Sequence, residues 1–261
     1  MRALRAEWTK LWSVASTRWL VAAAAVLTAA VGALVTATVD VSLCPTPTTC
    51  DEDTVKLALT GVWAGQIAVV VVAVLAVTGE YGTRTIRTTL TAVPRRLVVL
   101  AAKAAVVATA ALGAGLVGVA GALAAGRGIL PGNGFTAANG YPPLTVADPS
   151  TLRAAVGTVL YLGLVALLGL GIGAVVRDTA AGLITVLALL FLAPLVVGFV
   201  SDPTWRERLL TFAPTTAGLA VQATRDLDRL PVAPWTGLGV LAIYAAVAVA
   251  AGGALLARRD A

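Results

Sequence analysis

Apolar residues fill six long blocks of this chain, at about residues 19–39, 57–78, 98–125, 154–176, 180–200 and 235–257. One helical crossing of a bilayer takes ~20 apolar residues, and each block is long enough to supply it. The pattern predicts an all-α polytopic membrane protein with six transmembrane helices. No repeat of fixed period divides the blocks, so 1–261 reads as one transmembrane domain. The third block is longer than a perpendicular crossing needs, which predicts tilt or protrusion. Between the fourth and fifth blocks only Arg177 and Asp178 interrupt the apolar run, which predicts a very tight turn.

The polar stretches have patterns of their own. In residues 1–18, "MRALRAEWTKLWSVASTR", the side chains of Leu4, Trp8, Leu11, Trp12 and Ala15 fall on one helical face. Arg2, Arg5, Glu7, Lys10 and Arg18 lie mostly elsewhere. This predicts an interfacial helix with Trp8, Leu11 and Trp12 at headgroup level and basic residues toward anionic membrane lipid. The blander alternative is a basic flank that orients the first span. The apolar run that follows exceeds the ~7–15-residue core of a cleaved signal peptide, so it reads as an uncleaved span. Residues 201–234 are too long for a structureless connection. Asp202 and Pro203 mark a helix start, and Pro214 a second one, with Ala217, Ala220, Val221, Thr224 and Leu227 along one face. Two short helices are expected there, at the outer surface or dipping into the membrane; a folded lid with no transport role is the alternative.

Charge then orients the blocks. The chain is 59% hydrophobic and 12% charged, with a formal net charge of +6. The basic residues flank spans instead of forming a patch, which argues against nucleic acid and for membrane orientation. Basic ends and loops alternate with acidic or neutral ones. The positive-inside rule therefore puts both termini and the second and fourth loops in the cytoplasm, and the first, third and fifth loops outside. Cys44 and Cys50, the two cysteines, share the first loop. An exterior loop permits a disulfide between them; two free thiols are the alternative, and a metal site lacks further ligands.

Several chemistries find no residues. There is no Walker motif for a nucleotide. "GAGLVG" at 113–118 matches a dinucleotide fingerprint, but it lies within an apolar block with no strand before it. Its glycines, like the pairs Gly61/Gly65 and Gly169/Gly173, read as close helix-packing positions. No histidine is present to activate a nucleophile, so no catalytic residue and no cofactor or metal site is expected in this chain. The spans lack ionisable residues away from their ends, which disfavours a proton- or ion-coupled carrier. Pro194, late in the fifth block, is the clearest helix-breaking signal.

The loop at 79–97 is the exception to this apolar monotony. Its sequence, "GEYGTRTIRTTLTAVPRR" over 79–96, carries Arg84, Arg87, Arg95 and Arg96 against Glu80. Gly79 and Gly82 are expected to end span two in a sharp turn. Ile86, Leu90 and Val93 then form an apolar stripe, and Arg84, Arg87 and Thr91 share another face. Threonine-rich helices are marginal alone, so this one needs a surface, either lipid headgroups or a partner protein. Glu80, near its start, would suit the helix dipole.

"EWTKLWSVASTRW" before the first span and "TGEYGTRTIRTTLTAVPRRLVVLAAK" after the second resemble the actinobacterial ABC-2-type permeases, and "TFAPTTAG" in the fifth loop is similar too. The layout matches over the whole chain. The resemblance implies an exporter permease in a bacterial cytoplasmic membrane, in which Glu80, Thr83, Arg84, Ile86, Arg87, Leu90 and Thr91 contact a separate ATPase subunit. ATP and magnesium would bind that partner. A second permease chain, identical or homologous, would complete the path for an amphipathic, lipid-like or drug-like cargo. The alternatives are a non-transporting membrane anchor or regulator of a cytoplasmic partner, and a secondary carrier.

Overall fold

A computed structural model describes residues 2–41, 52–83, 85 and 95–258. Among them there is no strand. Helix α1 spans Arg2–Ser13, α2 Ala15–Thr38, α3 Thr54–Leu59, α4 Val62–Gly82, α5 Arg96–Ile129, α6 Pro149–Val176 and α7 Thr179–Leu187. A π-turn at Ala188–Leu192 leads into α8 (Ala193–Val197), followed by α9 (Pro203–Phe212), α10 (Pro214–Leu219) and α11 (Pro234–Arg258). Six helical units are long and apolar enough to cross a membrane: α2, α3–α4, α5, α6, α7–α8 and α11. The chain is a multi-pass, all-α membrane protein.

One boundary differs in part from expectation. Gly79 does not end the second span, because α4 continues through it and ends at Gly82, with Thr83 as its cap. The helix stops only where the Thr83 N–H and hydroxyl turn back to the Gly79 carbonyl. Glu80 therefore lies in the last turn of a membrane helix, at the negative end of its dipole, and not at the start of a new one. The predicted disulfide, Cys44 to Cys50, falls outside the described residues.

Burial divides the spans into an inner and an outer set. Of the apolar windows of α3–α4, α5 and α6, 61%, 50% and 61% is buried, against 22% for α2, 22% for α7–α8 and 28% for α11. The outer set turns large apolar side chains such as Val26, Leu34, Ile184 and Val247 outward, which needs an apolar surrounding. The contact of α2 with α4 depends on two glycines. A Cβ on Gly61 would sit 1.9 Å from the Thr28 carbonyl oxygen, and one on Gly65 2.0 Å from the Thr28 hydroxyl. At Gly169 and Gly173 it would meet Ala73 and Thr78 at 3.1 and 3.5 Å, tight at the first and ordinary contact at the second. Gly118 of "GAGLVG" also faces α2, with Thr28 Cβ at 2.8 Å from its virtual Cβ.

The π-turn has a local cause. Pro194 lacks the N–H that a regular helix would give to the Leu190 carbonyl, and its ring crowds that carbonyl. The Thr215 hydroxyl of α10 donates to the Leu190 oxygen instead, at 2.7 Å, inside the core. Segment 201–234 is thus not all at the surface. Helix α9, capped by Asp202 on the Thr204 and Trp205 amides, leaves Trp205 and Phe212 exposed. Helix α10 and the 3₁₀ turn Ala220–Gln222 are buried, packed against α6 and α11, with α10 also meeting the π-turn. The predicted stripe stops at Val221: Ala223 is extended, Asp226 is left-handed at φ 47°, and Leu227 is exposed.

Candidate functional site

Both ends of the chain meet at one end of the bundle. Arg96, the first residue of α5, donates to the Leu256 carbonyl of α11 at 3.0 Å. Arg177, between α6 and α7, reaches the Leu255 carbonyl at 3.3 Å. Cations on the last carbonyls of a helix satisfy acceptors that lack intrahelical partners and oppose the dipole. Arg177 holds a left-handed backbone, φ 61°, uncommon for a residue with a side chain. Its guanidinium lies 5.0 Å from the Tyr81 ring centroid, so it ties α4 to this end as well.

At the same end, four charges from three helices form one junction. Lys103, two turns into α5, donates to Glu7 of α1 and to Glu80 of α4, both at 2.6 Å. Lys10 of α1 donates to Glu7 at 2.8 Å and to Glu80 at 3.0 Å. The Lys103 and Glu7 side chains are each only 6% exposed and that of Glu80 13%, while Lys10 remains 45% exposed. Charges this buried persist only when paired, and here two carboxylates meet two ammonium groups. Burial pulls the Lys10 pKa down, but the hydrogen bonds and charges of Glu7 and Glu80 outweigh it and hold it above the ordinary 10.5.

The junction does not serve the helices that carry it. Glu80 sits in the last turn of α4, at the negative end of its dipole and so of the wrong sign, and Lys103 lies beyond the first turn of α5, where the dipole gives it nothing. What offsets this is the partner across the gap. The pairing therefore fixes how α1, the end of α4 and the start of α5 sit relative to one another. Beside it opens a cleft of about 500 Å³, lined by the four charges and by apolar residues including Leu11, Leu75 and Val107. The cleft also reaches Thr83 and Thr85, whose hydroxyls lie 2.9 Å apart at the start of the polar loop.

The expected contact residues thus separate. Thr83 is exposed; Glu80 is turned inward onto two lysines. Arg84, Ile86, Arg87, Leu90 and Thr91 lie outside the described residues. Of the interfacial trio, Leu11 is buried, Trp12 is half-buried and packs 5.7 Å from the Trp8 ring, and Trp8 is 44% exposed. Ala15 belongs to α2, beyond the break at Val14. The roles of Glu7, Lys10 and Lys103 were missed. One signal was present: Lys103 is a charge inside an apolar block, and such a charge demands a partner.

No known protein family matches the chain by sequence, and no curated protein matches it. Among the described residues no group of His, Cys, Asp or Glu is placed to hold a metal ion.

Proposed function

We propose that the chain is the permease subunit of an ABC-2-type exporter, powered by a separate ATPase that binds ATP and magnesium. It works beside a second permease chain, with both termini and the 79–97 loop on the cytoplasmic side. The cargo class is amphipathic, lipid-like or drug-like, in keeping with spans that carry few polar groups. The observation that supports this most is the four-charge junction. The loop resembling a coupling segment hangs from α4 one turn beyond Glu80, and Glu80 is ion-paired to α1 and α5. A push on that loop would reach three helices through short, buried ion pairs and not through one flexible connection.

The test is purification of tagged full-length chain in mild detergent, followed by mass spectrometry of its partners and transport in vesicles. A Walker-motif ATPase should co-purify at one per permease chain. Arg84→Glu with Arg87→Glu should leave membrane insertion intact and abolish nucleotide-driven efflux and cargo-stimulated ATP hydrolysis. Wild-type efflux in that double variant would overturn the coupling role. Transport that follows an ion gradient without nucleotide would make the protein a secondary carrier. A bound partner with no cargo-dependent hydrolysis would make it an anchor or regulator.

A further inference from the structure

On the other flank of α1 is a second cleft, of about 560 Å³, between α1 and α5. Leu4, Arg5 and Trp8 line it from α1; Ala105, Val106 and Thr109 line it from α5. Its position relative to the membrane follows from the junction. Lys103 marks the level at which α1 crosses α5, and Thr109 lies six residues further along, ~9 Å deeper at ~1.5 Å per residue. The cleft therefore starts at the charged end of the bundle and runs toward the membrane interior. Leu4 and Trp8 are each 44% exposed beside it, an arrangement that suits the headgroup boundary and not water.

Charge selects the occupant. The four junction charges cancel in pairs, whereas the exposed Arg5 guanidinium has no partner among the described residues. An unmatched guanidinium at headgroup level, above an apolar channel, complements a phosphate that carries an acyl chain. A soluble anion would leave the exposed Leu4 and Trp8 uncovered, and a zwitterionic lipid would bring its own cation beside its phosphate and leave the net charge of Arg5 uncancelled. We infer that the α1–α5 cleft holds an anionic phospholipid, its phosphate on Arg5 and one acyl chain past Trp8 along Ala105 and Thr109. The bound lipid fastens α1 to α5 on the flank opposite the ion pairs. This inference rests on the membrane-spanning fold and not on the transporter reading, so either can fail alone.

The experiment uses full-length protein in vesicles containing, at equal mole fraction, brominated phosphatidylglycerol or brominated phosphatidylcholine. Bromine quenches nearby tryptophan, and the signal of Trp8 is the difference between wild type and Trp8→Phe. Quenching of Trp8 should favour the anionic lipid. Arg5→Gln should reduce that preference about fivefold, the ordinary weight of one basic side chain at an anionic surface. Arg5→Lys should retain most of it. Ala105→Phe, at an exposed position, should abolish it by filling the cleft with no change of charge. Arg18→Gln, outside the cleft, should leave it intact. Equal quenching by both lipids, an Arg18→Gln loss as large as that of Arg5→Gln, or displacement of the effect by inorganic phosphate would each overturn the lipid site.

Discussion

The two ends of the bundle are closed by different chemistry. At the terminal end, full charges on α1, α4 and α5 neutralise one another, and arginines cover the last carbonyls of α11. At the opposite end, side chains serve mostly irregular backbone. Asp53 caps α3 on the Lys56 amide and also accepts from the Thr224 and Arg225 amides. Gln222 donates to the Leu59 carbonyl, Asn133 to those of Thr36 and Val39, and Arg153 to that of Ala223. Arg225 lies over the Tyr141 ring at 4.5 Å, and Tyr141 meets Phe135 edge-on. Loops packed near lipid must satisfy their own N–H and C=O groups, so this end is stitched to main chain at many points. At the terminal end α1, α4 and α5 are instead joined side chain to side chain. Those ion pairs can be re-paired without unfolding a loop, which suits a moving part.

That contrast can be broken first at Lys103. Lys103→Ala leaves Glu7 buried with one exposed partner and should destabilise by about 3–5 kcal/mol, the usual result of orphaning a buried charge. Thermal unfolding in detergent reads this, and Glu7→Gln added to Lys103→Met should recover most of the loss. At the opposite end, Asp53→Ala should cost about 2 kcal/mol, a helix cap plus hydrogen bonds to 224–225, and should expose the 223–230 segment to protease. Thr215→Val should cost about 1–2 kcal/mol, since the buried Leu190 carbonyl then loses its hydroxyl donor. Pro194→Ala should rescue that variant by restoring an N–H to the fifth span, and absence of rescue would refute the account of the π-turn.

Acid and alkali should separate the two ends with the smallest effects. Lys10 has its folded pKa raised, so its contribution is complete below 10.5 and is lost only as pH climbs through the raised value. Asp148, which caps α6 at the opposite end, is held below the ordinary 3.8 by Ser150 and then by the Thr151 amide. Its contribution is complete above 3.8 and is lost as pH falls through the lowered value. Stability should therefore be flat in both respects between about pH 5 and 9. Alkali should loosen α1 selectively, and acid the start of α6, as hydrogen exchange resolved by segment would show.

Legibility in the sequence followed how local the physics was. The six spans were readable because length and apolarity alone satisfy a bilayer. Asp202–Pro203 was readable as a helix start because a cap concerns only the next three residues, and the Asp202 carboxylate does accept from Thr204 and Trp205. The passage of α4 through Gly79 was not, because glycine permits a turn without requiring one. The burial of α10 was not readable either: its residues are no more apolar than those of a surface helix, and its place depends on a carbonyl left unserved by Pro194 in another span.

The sequence by itself determined that this chain crosses a membrane, about where it does so, and that one polar loop stands out from the rest. Those properties are sums over neighbouring residues. Only the tertiary structure decided that Glu7, Lys10, Glu80 and Lys103 form one junction. The residues lie up to 96 positions apart, and each alone is an ordinary charge near a helix end. A buried charge announces that it needs a partner, but which partner it finds depends on which helices the packing brings side by side.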